Sequence, residues 1–142
     1  MHNILFVCTA NIFRSRFAEE VFNFLAIKEK IPIRAFSAGL KVGEYHIRKI
    51  YRPALEQLEK LNIKPRRPNE LSLHINEVQL TKYDQLVCMD EAEHKPMVLS
   101  NSKLKEFNFE YWDIIDEPKV QSDVSLPICY NKVKEIVDSL KK

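Results

Sequence analysis

Glycine is scarce in this chain, with only Gly39 and Gly43 in 142 residues. No Gly/Ser linker, internal repeat or low-complexity tract divides it, and one domain over residues 1–142 is expected. Cysteine is also sparse. Cys8, Cys88 and Cys129 are odd in number and widely separated, which excludes a disulfide scaffold or a paired-cysteine zinc site and fits a reducing compartment. No apolar run is long enough to cross a bilayer. The apolar stretch Ile4 to Val7 is too short for a signal core and has no basic segment before it. The expected location is cytoplasmic, with no membrane partner. Charge of one sign is lacking too: 22 Lys and Arg stand against 20 Asp and Glu, a formal net of +2, which argues against a nucleic-acid tail and an acidic disordered chain.

What is present alternates. Ile4-Leu5-Phe6-Val7 has the continuous apolar character of a strand buried on both faces. Phe17, Val21, Phe24 and Leu25 then recur at helical spacing. Pro32 to Ala38 reads as a second strand and Pro53 to Leu61 as a second helix. Gln85 to Met89 is a third strand, followed by a weaker helical stretch containing Pro96. Phe107 to Ile115 offers a fourth strand, and Pro127 to Leu140 a closing helix with Ser125 as its N-cap. Strands alternating with helices predict an α/β fold around a parallel sheet.

Between the first strand and first helix lies Cys8-Thr9-Ala10-Asn11-Ile12-Phe13-Arg14-Ser15, a cysteine and an arginine separated by five residues. A loop leaving a parallel strand for a helix N-terminus aims backbone N–H groups and the positive helix end at one point. A five-residue arc can wrap a tetrahedral oxyanion, with the Arg14 fork engaging two of its oxygens. A free thiol has a pKa of about 8.5 and falls by several units at a helix N-terminus beside an arginine, which would make Cys8 a nucleophile. The Ser15 hydroxyl can donate to that thiolate. Asn11 tolerates the left-handed backbone such a curve needs, or is an ordinary turn residue. By spacing alone the pair is unremarkable, because a cysteine ending a strand is usually a small core residue.

The run from Ile4 to Glu19 resembles the signature of the low-molecular-weight protein tyrosine phosphatases. Ser37-Ala38-Gly39, Tyr83-Asp84 before Val87-Cys88-Met89-Asp90, and Trp112-Asp113-Ile114-Ile115-Asp116 follow in that family's order. The resemblance implies a three-layer α/β sandwich, with a four-stranded parallel sheet flanked by helices and a phosphate loop after the first strand. It also implies phosphotyrosine-type substrates, a cysteinyl-phosphate intermediate, inorganic phosphate as product, and a late aspartate as general acid. The substrate loop would be Thr9, Ala10, Asn11, Ile12, Phe13, Arg14 and Ser15, with Tyr45 and His46 where the family carries an aromatic rim. The chain departs from the family at Ala10, Phe13 and Arg16, the last replacing the usual proline and adding positive charge near the site. Glu117 also intervenes between Asp116 and Pro118.

Asp116 is the expected acid and Asp113 the alternative. Cys88 reads as core, and Lys64, Arg66 and Arg67 as a solvated basic face. His74 and His94 lack metal-ligand spacing, and neither metal nor cofactor is expected, because arginine, amides and helix dipole supply the charge. Two other readings compete. An arsenate reductase on the same fold would need two further cysteines close together. A phosphate-binding module would have the loop without turnover. Substrate identity and oligomeric state are not legible.

Overall fold

The computed structural model describes residues 3–43 and 48–141; Tyr45 and His46 lie outside them. Four parallel strands, β1 (Asn3–Cys8), β2 (Arg34–Gly39), β3 (Gln85–Cys88) and β4 (Glu110–Tyr111), form one sheet in the order β2-β1-β3-β4. This is the expected α/β sheet, with β1 at its centre.

Alternation along β1 sorts the core into two layers. Ile4, Phe6 and Cys8 face the side packed by α1 (Arg14–Lys28), α2 (Arg52–Lys60) and α4 (Ser122–Leu140). Leu5 and Val7 face the side that includes Val98 of α3 (Glu91–Leu99) and the single-turn segments around Ile75 and Leu80. Phe6 anchors the first layer against Phe22 and Trp112, with ring centroids 6.4 and 5.8 Å apart.

Several boundaries differ from the sequence expectation. Helix α1 starts three residues earlier and is buried around most of its first half, including Arg14, Arg16, Glu19 and Glu20, while Phe24 and Leu25 are only half-buried. Apolar spacing misses this because the polar residues there bury against partners from elsewhere in the chain, Arg14 against Glu93, Glu19 against Arg67, and Arg16 and Glu20 against the backbone of 66–70. Strand β4 is two residues long, yet the chain beyond it stays alongside β3: Trp112 N–H donates to the Cys88 carbonyl and Ile114 N–H to that of Met89, at 2.9 and 2.7 Å. Helix α4 begins at Ser122 with Gln121 as its N-cap, so Ser125 is an interior residue, and Pro127 lies beyond the first turn. No helix among the described residues is long and apolar enough to cross a membrane.

Candidate active site

The loop from Cys8 to Arg14 leaves the C-terminal end of the central strand and enters α1 without a side-chain cap. Its curvature comes from Asn11, whose φ of 58° lies in the left-handed region that asparagine tolerates better than most residues. Neighbouring backbone holds it by its carbonyls: Leu40 N–H donates to Cys8 O, Lys41 N–H to Thr9 O and Tyr51 N–H to Ile12 O, at 2.9, 2.8 and 2.6 Å. With the carbonyls turned outward, no amide from Thr9 to Phe13 donates to a backbone carbonyl among the described residues. Such N–H groups at a helix N-terminus favour an anion. Gly39 is demanded by this packing, since a Cβ there would sit 2.8 Å from the Thr9 carbonyl oxygen and 3.0 Å from the Ala10 carbonyl carbon.

Cys8 is 2% exposed, and its Sγ lies 2.9 Å from Ser15 Oγ. Asn11 Nδ2 donates to Ser15 Oγ at 3.0 Å, leaving the hydroxyl proton free for sulfur. Leu73 N–H donates in turn to Asn11 Oδ1 at 2.9 Å, a partner not foreseen from sequence. Phe13 turns its ring into the core, edge-on to Tyr51, so it contributes only backbone to the loop. Ile12 is half-buried and Ala10 buried.

Arg14 is buried, its side chain 2% exposed, and the end edge of its guanidinium is filled. Nη1 and Nη2 donate to the two Glu93 carboxylate oxygens at 3.0 and 2.9 Å, and Nη1 also reaches the Ile114 carbonyl at 3.0 Å. The side edge, made by Nε–H and the outer N–H of Nη2, has Asp116 Oδ2 at 3.3 Å from Nη2 and no partner on Nε among the described residues. A bidentate oxyanion fits that edge.

Glu93 escaped the sequence reading because nothing in its local pattern marks it. The first turn of α3 brings it across the loop. Asp90 N–H donates to His94 Nδ1 at 3.1 Å, which leaves the other ring nitrogen of a neutral imidazole as the donor. That Nε2 lies 3.0 Å from Thr9 Oγ1 and 3.2 Å from Glu93 Oε2, and the Thr9 hydroxyl donates to the same carboxylate. Burial alone would raise the Glu93 carboxyl, but its bonds with His94, Arg14 and Thr9 hold it well below the usual range. Glu93 is therefore a fixed anion behind Arg14, and His94 is a buried member of this cluster.

Of the two acid candidates, Asp116 is the one that meets Arg14, whereas Asp113 is exposed and its backbone pairs with Asp90. Burial pushes the Asp116 carboxyl above its ordinary range. Arg14 and the Glu117 amide oppose this, and the Glu93 and Glu117 charges reinforce it. The site thus joins a thiol, a hydroxyl donor, a buried guanidinium edge, a row of amides and a carboxyl group that holds its proton more readily than an ordinary aspartate.

Arg16 turns its guanidinium to the Arg67 and Glu70 carbonyls at 2.7 and 3.1 Å, and its charge still interacts with Cys8 from there. The expected solvated basic face holds for Lys64 and Arg66, but Arg67 is half-buried and paired with Glu19 at 2.6 Å. Cys88 and Cys129 are core residues, both thiols pushed up to about 12 by burial.

The family model for low molecular weight phosphotyrosine protein phosphatases matches residues 3–142. No curated protein matches the sequence. Among solved structures, YfkJ from Bacillus subtilis is 25% identical, with a TM-score of 0.83 over 99% of this chain and 95% of that one. An arsenate reductase from Archaeoglobus fulgidus is 24% identical, with a TM-score of 0.71 over 95% and 98% of the two chains. The YwlE arginine phosphatase, a Bacillus subtilis protein, is 22% identical, with a TM-score of 0.73 over 98% and 93%. The last two share the fold with this chain while differing from each other in chemistry.

Proposed function

The chain belongs to the low molecular weight phosphotyrosine protein phosphatase family, and from that premise we propose that it hydrolyses phosphotyrosine-type phosphomonoesters through a phosphate carried on Cys8. The observation that carries the proposal is the Cys8 thiol held 2.9 Å from Ser15 Oγ, in a loop whose Thr9 to Phe13 amides donate to no backbone carbonyl among the described residues and with Arg14 at its end.

In the first step the Cys8 thiolate attacks phosphorus and the bond to the leaving oxygen breaks. The Thr9 to Phe13 amides and Arg14 stabilise the charge spread over the equatorial oxygens. Asp116 gives its proton to the leaving oxygen, which otherwise departs poorly. In the second step the Asp116 carboxylate accepts a proton from the attacking water, and the sulfur–phosphorus bond breaks. Ser15 donates to the departing thiolate, and inorganic phosphate leaves. Glu93 positions Arg14 throughout, so that the edge turned to phosphate is the one Glu93 does not occupy.

The arsenate reductase reading is disfavoured by Cys88 and Cys129, which are fully buried and lack paired positions. Three unpaired thiols also support a cytoplasmic setting. The test is turnover of phosphotyrosine peptide, phosphoarginine and arsenate by the purified chain beside Cys8→Ser. Release of phosphate from the tyrosyl peptide by the native chain alone is the expected result. Preference for phosphoarginine would reassign the substrate, thiol-dependent arsenate reduction would reassign the reaction, and phosphopeptide binding without release would make the chain a binding module.

A further inference from the structure

Three buried charged side chains and one half-buried one gather on the flank of α1. Arg16, Glu19 and Glu20 are 1%, 0% and 1% exposed, and Arg67 closes the group from the 66–73 segment. Ion pairs removed from water are costly and seldom add net stability over apolar packing, so the group calls for another explanation. Its bonds converge on one stretch of backbone. Glu20 accepts the Arg66 and Arg67 amides at 2.7 and 3.0 Å. Arg16 donates to the Arg67 and Glu70 carbonyls. Glu19 accepts from the Arg67 guanidinium at 2.6 Å and from Ser37 Oγ at 2.5 Å. The strapped segment then runs to Leu73, whose carbonyl accepts from Gly39 N–H at 2.8 Å and whose own N–H holds Asn11 Oδ1. Asn11 orients Ser15, and Ser15 faces Cys8.

We propose that Arg16, with Glu20, is a positioning residue for the nucleophile loop, acting through the 66–73 segment and the Leu73 to Asn11 hydrogen bond. The proposal rests on the reading of the Cys8 to Ser15 loop as the oxyanion site. Two rigid attachments meet at Asn11: its own left-handed backbone and the Leu73 amide. Releasing the second leaves the side chain free to rotate away from Ser15, and the loop loses the register in which amides and Arg14 meet one oxyanion. Lysine cannot replace Arg16, because a single ammonium does not span two carbonyls as the fork does.

The test is calorimetric binding of inorganic phosphate, which needs no turnover and so separates failure of this proposal from failure of the proposed reaction. Arg16→Met is expected to weaken phosphate binding about 10- to 100-fold, the scale of a misplacement near 1 Å, and Arg16→Lys is expected to fall in the same range. In an Asn11→Ala background the same Arg16→Met change should cost less than about twofold, since both act through one contact. A folded Arg16→Met protein that melts earlier but binds phosphate within about twofold of the native chain would overturn the proposal, as would equal losses in both backgrounds. Should Arg16→Met fail to fold, Glu20→Gln weakens the same strap while keeping its shape and carries the same expectations.

Discussion

Arg14 and Arg16 stand two residues apart on one helix, each 1% exposed, and each has an Nε without a partner among the described residues. Their surroundings separate them. Arg14 is backed by a carboxylate, faces a second one loosely, and ends a loop with a thiol and a row of amides that no backbone carbonyl engages among the described residues. Arg16 spends its terminal nitrogens on two backbone carbonyls and has the Arg67 charge nearby. An unpartnered nitrogen alone therefore marks nothing, and what identifies an oxyanion site is the convergence of several unsatisfied donors beside a nucleophile. On the proposed reading, the helix uses one arginine to meet an anion and the other to hold the ground on which the first stands.

The largest expected effect concerns the acid that faces Arg14. Asp116→Asn should lower the rate on phosphotyrosine by roughly 10²–10⁴-fold, as for loss of a general acid, and Asp113→Asn should do far less. Because burial raises the Asp116 carboxyl, the protonated donor persists to higher pH than an ordinary aspartate, and the basic limb of the native profile reports its loss. That limb should flatten in Asp116→Asn. An aryl phosphate with an acidic phenol should recover much of the rate, and kinetics on the two substrates across pH check both points.

Next in size is the contrast between the two arginines. Arg14→Lys should cost about 10²–10³-fold in kcat, the scale of one lost oxyanion donor. Near-native kinetics there would reduce Arg14 to the structural role. Glu93→Gln should fall between native and Arg14→Lys, because an amide group cannot accept both guanidinium nitrogens. Gly39→Ala, which presses a methyl on the Thr9 carbonyl, should cost about 1–3 kcal/mol in chemical denaturation, as overpacking does. The smallest effect is expected of Cys129→Ala, a core thiol to which the proposed reaction gives no role, which should lower stability modestly and leave the steady-state rate on an aryl phosphate within about twofold.

How much of this was legible in the sequence follows from where the information lies. The strands, the parallel sheet and the loop were readable because apolar runs and the cysteine–arginine spacing are local. Ser125 misled as a cap because helix α4 starts at Ser122, with no capping side chain to announce it. Glu93, His94 and Leu73 were invisible as site residues because each reaches the loop from 62 to 85 residues away in sequence. Arg67 was read as part of a solvated face and Arg16 only as added charge near the site, since a buried ion cluster and a solvated one have the same letters. Tyr45, the expected rim aromatic, lies outside the described residues.

The central claim is that Cys8 carries the phosphate. The direct measurement is mass spectrometry of the chain acid-quenched during turnover of an aryl phosphate, with peptide mapping of the adduct. The account predicts one phosphate on the peptide containing Cys8, more abundant in Asp116→Asn with an activated phenol because the second step then lacks its base. Cys8→Ala should show none. Phosphate release by Cys8→Ala at the native rate, or turnover with no adduct in any of these proteins, would contradict it.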